Sequence, residues 1–427
     1  MKIPGGLGAL ARTFAIRDYR LFVIGNLASN VGLWTQRVAL GWLTWELTHS
    51  TAWLGAIALG ESLPMLILAL VAGTVVDRVD YFKLLRFTQS LSLFFAVIMA
   101  GLTLAGMMTV WILLGFVILR GAVTAFNRPS RMTVIFSLVG PDMLASAVAL
   151  NSIIFNVSRL IGPAVGGTLI VFIGVGWTFG AAALSFFVFT LMLHLISTRV
   201  AAPPARERRS LVAEAIEGLH YMTAHPGIRI QMVMLVIIGF LAKPLTDLMP
   251  GFVGDVFKLG PEGLAIMTSA YGGGAMVGAF WMASRDKGIA GLSILTINGI
   301  LLAAIGVALF LATSSVWVAC PAMAVVGFAF IVQNVANQTL IQSASSPAMR
   351  GRVISNHGLV QHSAPSLGAL VMGGIAEHVG LPLPVAGGAV LCVVLWYWSW
   401  RQRHLLIAAL EQAPPGGETM LDKRKQS

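Results

Sequence analysis

Residues 73–86 read GTVVDRVDYFKLLR, in which an apolar run ends at Gly73, Asp77-Arg78 follows four residues later, and Lys83 and Arg86 open the next apolar run. Each flanking run is roughly 20 residues long, enough to cross the hydrocarbon core of a bilayer as a helix. The segment is therefore the turn of a membrane hairpin, on the side where positive charge is retained. The same pattern recurs in every second gap along the chain: Lys2 to Arg20, Arg128 and Arg131, Arg199 to Arg229, Arg285 and Lys287, Arg350 and Arg352, and Arg401 to Lys425. The alternate gaps, around His49, Gly106, Gly176, Ser314 and Gly380, hold no Lys or Arg, and only the gap near Lys258 carries one. This parity places both termini and the central loop in the cytoplasm.

Twelve apolar runs can be read, at about 20–45, 52–76, 84–106, 109–127, 146–172, 177–197, 228–252, 263–284, 289–312, 316–340, 353–377 and 382–400. With 57% hydrophobic and 11% charged residues, too little polar surface remains for soluble domains. The expected fold is all-α and integral to the membrane. The net charge of +11 is spread over loops that flank spans, without the aromatic interleaving of a nucleic-acid surface, so it reads as topology. The first apolar run exceeds a signal-peptide core and lacks a small-residue cleavage site, so it is expected to be retained. Trp45, Trp53, Trp111, Trp177 and Trp317 flank the gaps poor in basic residues as one interfacial belt, and Trp396, Trp398 and Trp400 mark the other. Cys320 and Cys392 lie inside spans without metal-ligand spacing, so no disulfide, metal or other cofactor is expected.

Hydrophobic patterning stops at 198–226, dividing the chain into six-span halves at 1–197 and 227–400, with a cytoplasmic tail at 401–427. Within that linker, Leu211, Ala215, Leu219 and Met222 share one side at helical spacing and predict a surface helix. The halves echo one another: Gly115 and Gly327 are 212 positions apart, Asn151 and Asn356 are 205 apart, and Pro163 and Pro365 are 202 apart, in preserved order. Parallel six-span repeats imply a transporter with its site between the halves.

Two segments carry a family resemblance. Residues 73–86 resemble the signature loop between the second and third helices of the major facilitator superfamily, and residues 156–167, NVSRLIGPAVGG, resemble the Gly-Pro-x-x-Gly-Gly motif in the fifth helix of its drug/proton antiporters. With LRGAVTAFNRPSR at 119–131 and WTQRVALGWLTWELTHS at 34–50, the chain is similar to the efflux branch that includes enterobactin and macrolide exporters. The resemblance implies a gating role for Asp77 and Arg78, and Lys83 and Arg86 fit its basic stretch; Gly73 lets two helices approach closely there, and Asp77 can accept from a helix N-terminus or pair with Arg131 or Arg78. Tyr81 and Phe82 stand where relatives usually have Arg or Gly. It also implies that Gly162, Pro163, Gly166 and Gly167 bend and pack the fifth span so as to bias the protein toward exchange; their physical effect is lost bulk and one lost backbone hydrogen bond.

Ionisable groups inside spans cost several kcal/mol unless paired or wet, which marks them as candidates. Arg37, Glu61, Arg120 and Arg159 lie in the first half, Asp247 with Lys243 in the seventh span, and His362 in the eleventh. Glu61 is either a proton carrier or a neutralising partner of Arg37 or Arg120; Asp247 is either a proton carrier or a local i, i+4 partner of Lys243. His362 is a proton site or a hydrogen-bonded helix contact. Amides such as Asn26, Gln36, Asn127, Asn151, Gln333 and Asn337, among many Phe and Met, suit a large amphiphilic ligand. The expected activity is export of a drug-like or siderophore-like molecule from the cell by alternating access in the inner membrane, coupled to protons. A lipid flippase of the same fold and a non-transporting sensor or scaffold are the alternatives. No nucleophile, base and metal constellation suggests an enzyme, and the expected partners are substrate, protons and membrane lipids, not nucleic acid.

Overall fold

The computed structural model describes residues 13–76, 79–140, 143–197, 211–286 and 288–412. Among them the chain is helical almost throughout, as it must be where hydrocarbon offers no partner to a backbone N–H or C=O. The long helices are α1 (Arg17–Thr48), α2 (Thr51–Val76), α3 (Tyr81–Leu104), α4 (Val110–Val139) and α5 (Leu144–Leu195), followed by the linker helix α6 (Leu211–Ala224). The second half holds α7 (Pro226–Leu241), α8 (Pro261–Ala283), α9 (Leu292–Leu311), α10 (Val316–Ala344), α11 (Arg350–Val379) and α12 (Pro382–Arg401), and a short α13 (Arg403–Leu410) closes it.

Among the described residues, eight stretches are long and apolar enough to cross a membrane. One of them contains two spans, because α5 breaks at Gly174, whose φ of 81° only glycine adopts without strain. With α1, α8 and α11, which are long enough but richer in polar and small residues, these make twelve spans. The seventh is not the single helix its hydropathy suggests. After Leu241 it tightens into a 3₁₀ turn over Lys243–Thr246 and, one short turn later, widens to a π turn over Phe252–Val256. Pro244 and Pro250 each remove an amide donor there, so the helical ladder cannot run through.

Two compact units emerge. The first comprises 1–49, 60–207 and 258–269. In it α1 packs along α5, and α3 lies against α4 and α5. Its core is built on Tyr19, Phe22, Leu85, Ile135, Phe189 and Leu193, with Phe22 edge-on to Phe189 at 5.6 Å. The second comprises 50–59, 208–257 and 270–427, in which α9 packs on α10 and α12, and α7 on α11. Each unit thus takes in about ten residues from a helix whose remainder belongs to the other.

The linker helix packs on α11. Gly218 and Met222 are buried while Ile216 and Leu219 are exposed, because Gly218 lets α6 approach Arg352 and Asn356 on α11 and Glu217 pairs with Arg352 at 2.7 Å. Trp45 is buried and stacks edge-on against His49, whereas Trp111, Trp177 and Trp317 are well exposed. At the basic end of the second unit, the Glu411 carboxylate accepts the N–H groups of Gly291 and Ser293 and so caps α9.

His225 caps α7 by accepting the Ile228 N–H on Nδ1 at 3.3 Å, a role open only to neutral imidazole. Burial holds its pKa below the ordinary value, although its own backbone hydrogen bond works against that shift. A depressed folded pKa contributes stability that is present above the unfolded value, about 6.5, and lost as pH falls through the folded one. Thermal melts of the purified protein should therefore show a downward slope below about pH 6.5 that His225→Asn, which keeps a cap without titrating, flattens. His225→Ala should cost about 1 kcal/mol near neutrality.

Candidate functional site

In the first unit, Gly121 has no side chain where α4 meets the Glu61 carbonyl of α2, and the two backbones touch there. That approach brings the neighbouring charges together: Arg120 Nη2 lies 2.6 Å from Glu61 Oε1, with the arginine buried and the glutamate side chain 30% exposed. Arg120 Nη1 also donates to the Gln36 side-chain oxygen at 3.3 Å, tying α1 into the pair. Next to Gln36 on α1, the Arg37 guanidinium lies over the Trp34 ring at 5.6 Å, and Arg159 from α5 lies over the same ring at 5.9 Å. Trp34 in turn meets Phe155 edge-on. Arg37 and Arg128 are exposed and Arg159 half-buried. Hence Glu61, Arg120, Arg37 and Arg159, all candidates from the sequence, fall into one cluster of α1, α2, α4 and α5. Arg120, one of the two partners considered for Glu61, makes a direct ion pair with it.

The Gly-Pro-x-x-Gly-Gly segment explains how α5 reaches α1. Gly162 faces Trp34, its carbonyl accepts the Thr35 hydroxyl at 3.1 Å, and a side chain on Gly166 would meet the Thr35 backbone at 3.0 Å. Gly167 points elsewhere, against Ala265 and Pro261 of α8. Pro163 lies within the helix between these contacts.

Toward the basic end, Arg131 does not stand in a solvated loop. It donates to Asn26 Oδ1 at 2.7 Å and Asn127 Oδ1 at 3.1 Å, and its guanidinium lies 4.9 Å from the centre of the Phe189 ring. Asn26 donates to Asn151 at 3.0 Å, and Asn127 to Thr88 at 3.0 Å. Arg86 donates to the carbonyls of Leu193 and Ile196, closing the end of α5, and Lys83 is exposed in the first turn of α3. Asp80, which the motif reading passed over, caps α3 by accepting from Phe82 N and Lys83 N; an Asp directly before an apolar run was its signal. Gly73 lies in the last turn of α2. Asp77 and Arg78 lie outside the described residues.

The second unit repeats the amide network with different chemistry. Asn337 donates to the Gln231 side chain at 2.7 Å, Gln231 donates to Thr296 at 3.2 Å, and His357 Nε2 meets Asn337 Oδ1 at 3.1 Å. Since that oxygen only accepts, His357 holds its proton on Nε2. All four side chains are buried. Thus α7, α9, α10 and α11 are joined as α1, α3, α4 and α5 are, but Ile341 occupies the place one turn after Asn337 that Arg131 occupies after Asn127. The partner equivalent to Asn151 is His357, one residue beyond the Asn356 suggested by spacing. His362, half-buried, offers its carbonyl to Ser366. Lys243 opens the 3₁₀ turn and Asp247 closes it.

Comparison with known proteins matches residues 9–414 to the transmembrane secretion effector family. The chain is 27% identical over 246 residues to the staphyloferrin A transporter of Staphylococcus aureus, covering 57% of this chain and 62% of that protein. It is 25% identical over 380 residues to the multidrug efflux pump Tap of Mycolicibacterium fortuitum, covering 84% of this chain and 90% of the pump. Its fold is similar to that of the nucleoside transporter NupG, with a TM-score of 0.73 at 15% identity over 90% of this chain and 98% of that one. The match spans both six-helix halves, and the chain belongs to the transmembrane secretion effector family of major facilitator transporters, which are not enzymes.

Proposed function

We propose that this protein is a secondary active exporter, moving an amphiphilic small molecule of siderophore or drug type out of the cell by alternating access, driven by protons returning inward. The observation that carries the reading is the Arg120–Glu61 pair, joined to Gln36 and lying beside the Arg37–Trp34–Arg159 stack, inside a membrane-spanning bundle. A carboxylate held by a guanidinium and still 30% exposed can exchange that partner for a proton when its surroundings change. Aromatic rings and amides beside it suit a large, partly polar substrate. The relatives named for staphyloferrin A transport and multidrug efflux support the direction and the substrate class.

The basic end faces the cytoplasm in this reading, with the protein in the cell membrane and both termini inside. The halves 1–197 and 227–400, joined by 198–226, carry out the alternating access, and the segment from Gly73 through Asp77, Arg78, Lys83 and Arg86 gates the inner face.

Substrate-driven proton flux in liposomes containing the purified protein tests the coupling. Glu61→Gln should abolish transport or remove its pH dependence without changing the elution profile; a normal pH dependence in that variant excludes Glu61 as the coupling residue. Arg120→Met should lower stability by about 3 kcal/mol, because it strips the counter-charge from a membrane-interior carboxylate. Glu61→Gln combined with Arg120→Gln should recover most of the loss, as read from thermal unfolding in detergent.

A further inference from the structure

At the end of the bundle opposite the basic loops, the first turn of α2 lies along the last turns of α11 within one compact unit. The seam is made backbone to backbone: a side chain on Gly55 would strike Ala369 and Leu370, one on Gly373 would strike Thr51, and the Thr51 hydroxyl donates to the Gly373 carbonyl at 2.8 Å. At its rim stands Glu377, an exposed carboxylate in the last turn of α11. Its Oε2 accepts from the Ser50 hydroxyl at 3.0 Å, the Ala52 N–H at 3.2 Å and, in competition with Gly373, the Thr51 hydroxyl at 3.1 Å. Ser50 also accepts the Trp53 N–H at 3.3 Å. A carboxylate from one six-span half thus caps a helix that begins in the other.

We propose that Glu377 is the positioning residue of the outer gate: ionised, it latches the start of α2 to α11, and protonated from the outer solution, it lets them part. The inference rests on the alternating-access reading. All three groups around Oε2 donate, so a proton on that oxygen would meet donors where it needs an acceptor. The counterpart seam in the first unit, where Gly167 meets Ala265, has no such switch, because the nearby Glu262 accepts the Gly260 N–H on its own loop.

Other titratable groups on the packed elements lie elsewhere. Glu214, Glu217, His220 and Arg229 of α6 and α7, and Arg401 of α12, belong to the basic end; Arg352, the Glu217 partner, is about 37 Å along α11 from Glu377. Lys243 is beside the Pro244–Gly368 contact, about 14 Å along the helix, and α10 carries no charged residue. Asp247, whose neighbour Leu248 touches Gly373, and Glu61, ten residues into α2, lie toward the interior. His378 and His49 are the titratable sequence neighbours at the rim.

Spin labels at Ala56→Cys and Val379→Cys, on a Cys320→Ser, Cys392→Ser background, report the seam in the full chain without any substrate. The distance between them should be short at pH 7.5, with a second, longer population growing as pH falls through the carboxylate range. Glu377→Gln should remove that pH response and Glu377→Ala should raise the longer population about tenfold or more at pH 7.5, while His378→Gln should leave the response intact. One short distance at every pH, a Glu377→Gln profile like the parent's, or loss of the response in His378→Gln would each overturn the latch. Because no transport is measured, these outcomes are independent of whether proton-coupled export is correct.

Discussion

Hydrocarbon offers a polar group nothing to bond to, and the architecture follows from that constraint. Every spanning segment closes its own backbone hydrogen bonds as helix, and where the seventh span cannot, at Pro244 and Pro250, it resorts to 3₁₀ and π turns. Polar side chains obey the same constraint one level up. Asn26, Asn127, Asn151 and Arg131 satisfy one another across four helices, as do Gln231, Thr296, Asn337 and His357 in the other half. These networks bind helices together where the hydrophobic effect contributes little, since lipid tails are as apolar as leucine.

Close approach is the second organising feature. Gly121 sets α4 on α2 and thereby joins Arg120 to Glu61; Gly162 and Gly166 set α5 on α1 beside Trp34; Gly55 and Gly373 set α2 on α11 beside Glu377. In each place the absence of a side chain on one residue positions the charged or aromatic group of a neighbour. Small residues and ionisable ones are therefore parts of the same sites, although they look unrelated along the chain.

The two halves share a scaffold but not a charge distribution. A guanidinium fills the centre of one amide network, whereas an imidazole closes the other and Ile341 stands where Arg131 would be. Arg120 and Glu61 face one another in the first half, and the seventh span has its own Lys243 and Asp247 around a broken turn.

Much of this was legible along the chain. Twelve apolar runs and the recurrence of Gly, Asn and Pro near 200 residues determined the class of fold, because crossing hydrocarbon constrains composition residue by residue. Arg37, Glu61, Arg120 and Arg159 stood out for the same reason: each is a charge where charge is costly. Tertiary structure alone decided which of them pair. It also decided that Arg131 serves an amide network, that His357 enters its counterpart, and that Glu377, unremarkable at a helix end, caps a helix more than 300 residues away. Periodicity reports which face a residue occupies, but a hydrogen bond between helices depends on their rotation and spacing to within an ångström, and glycines on the neighbouring helix set both.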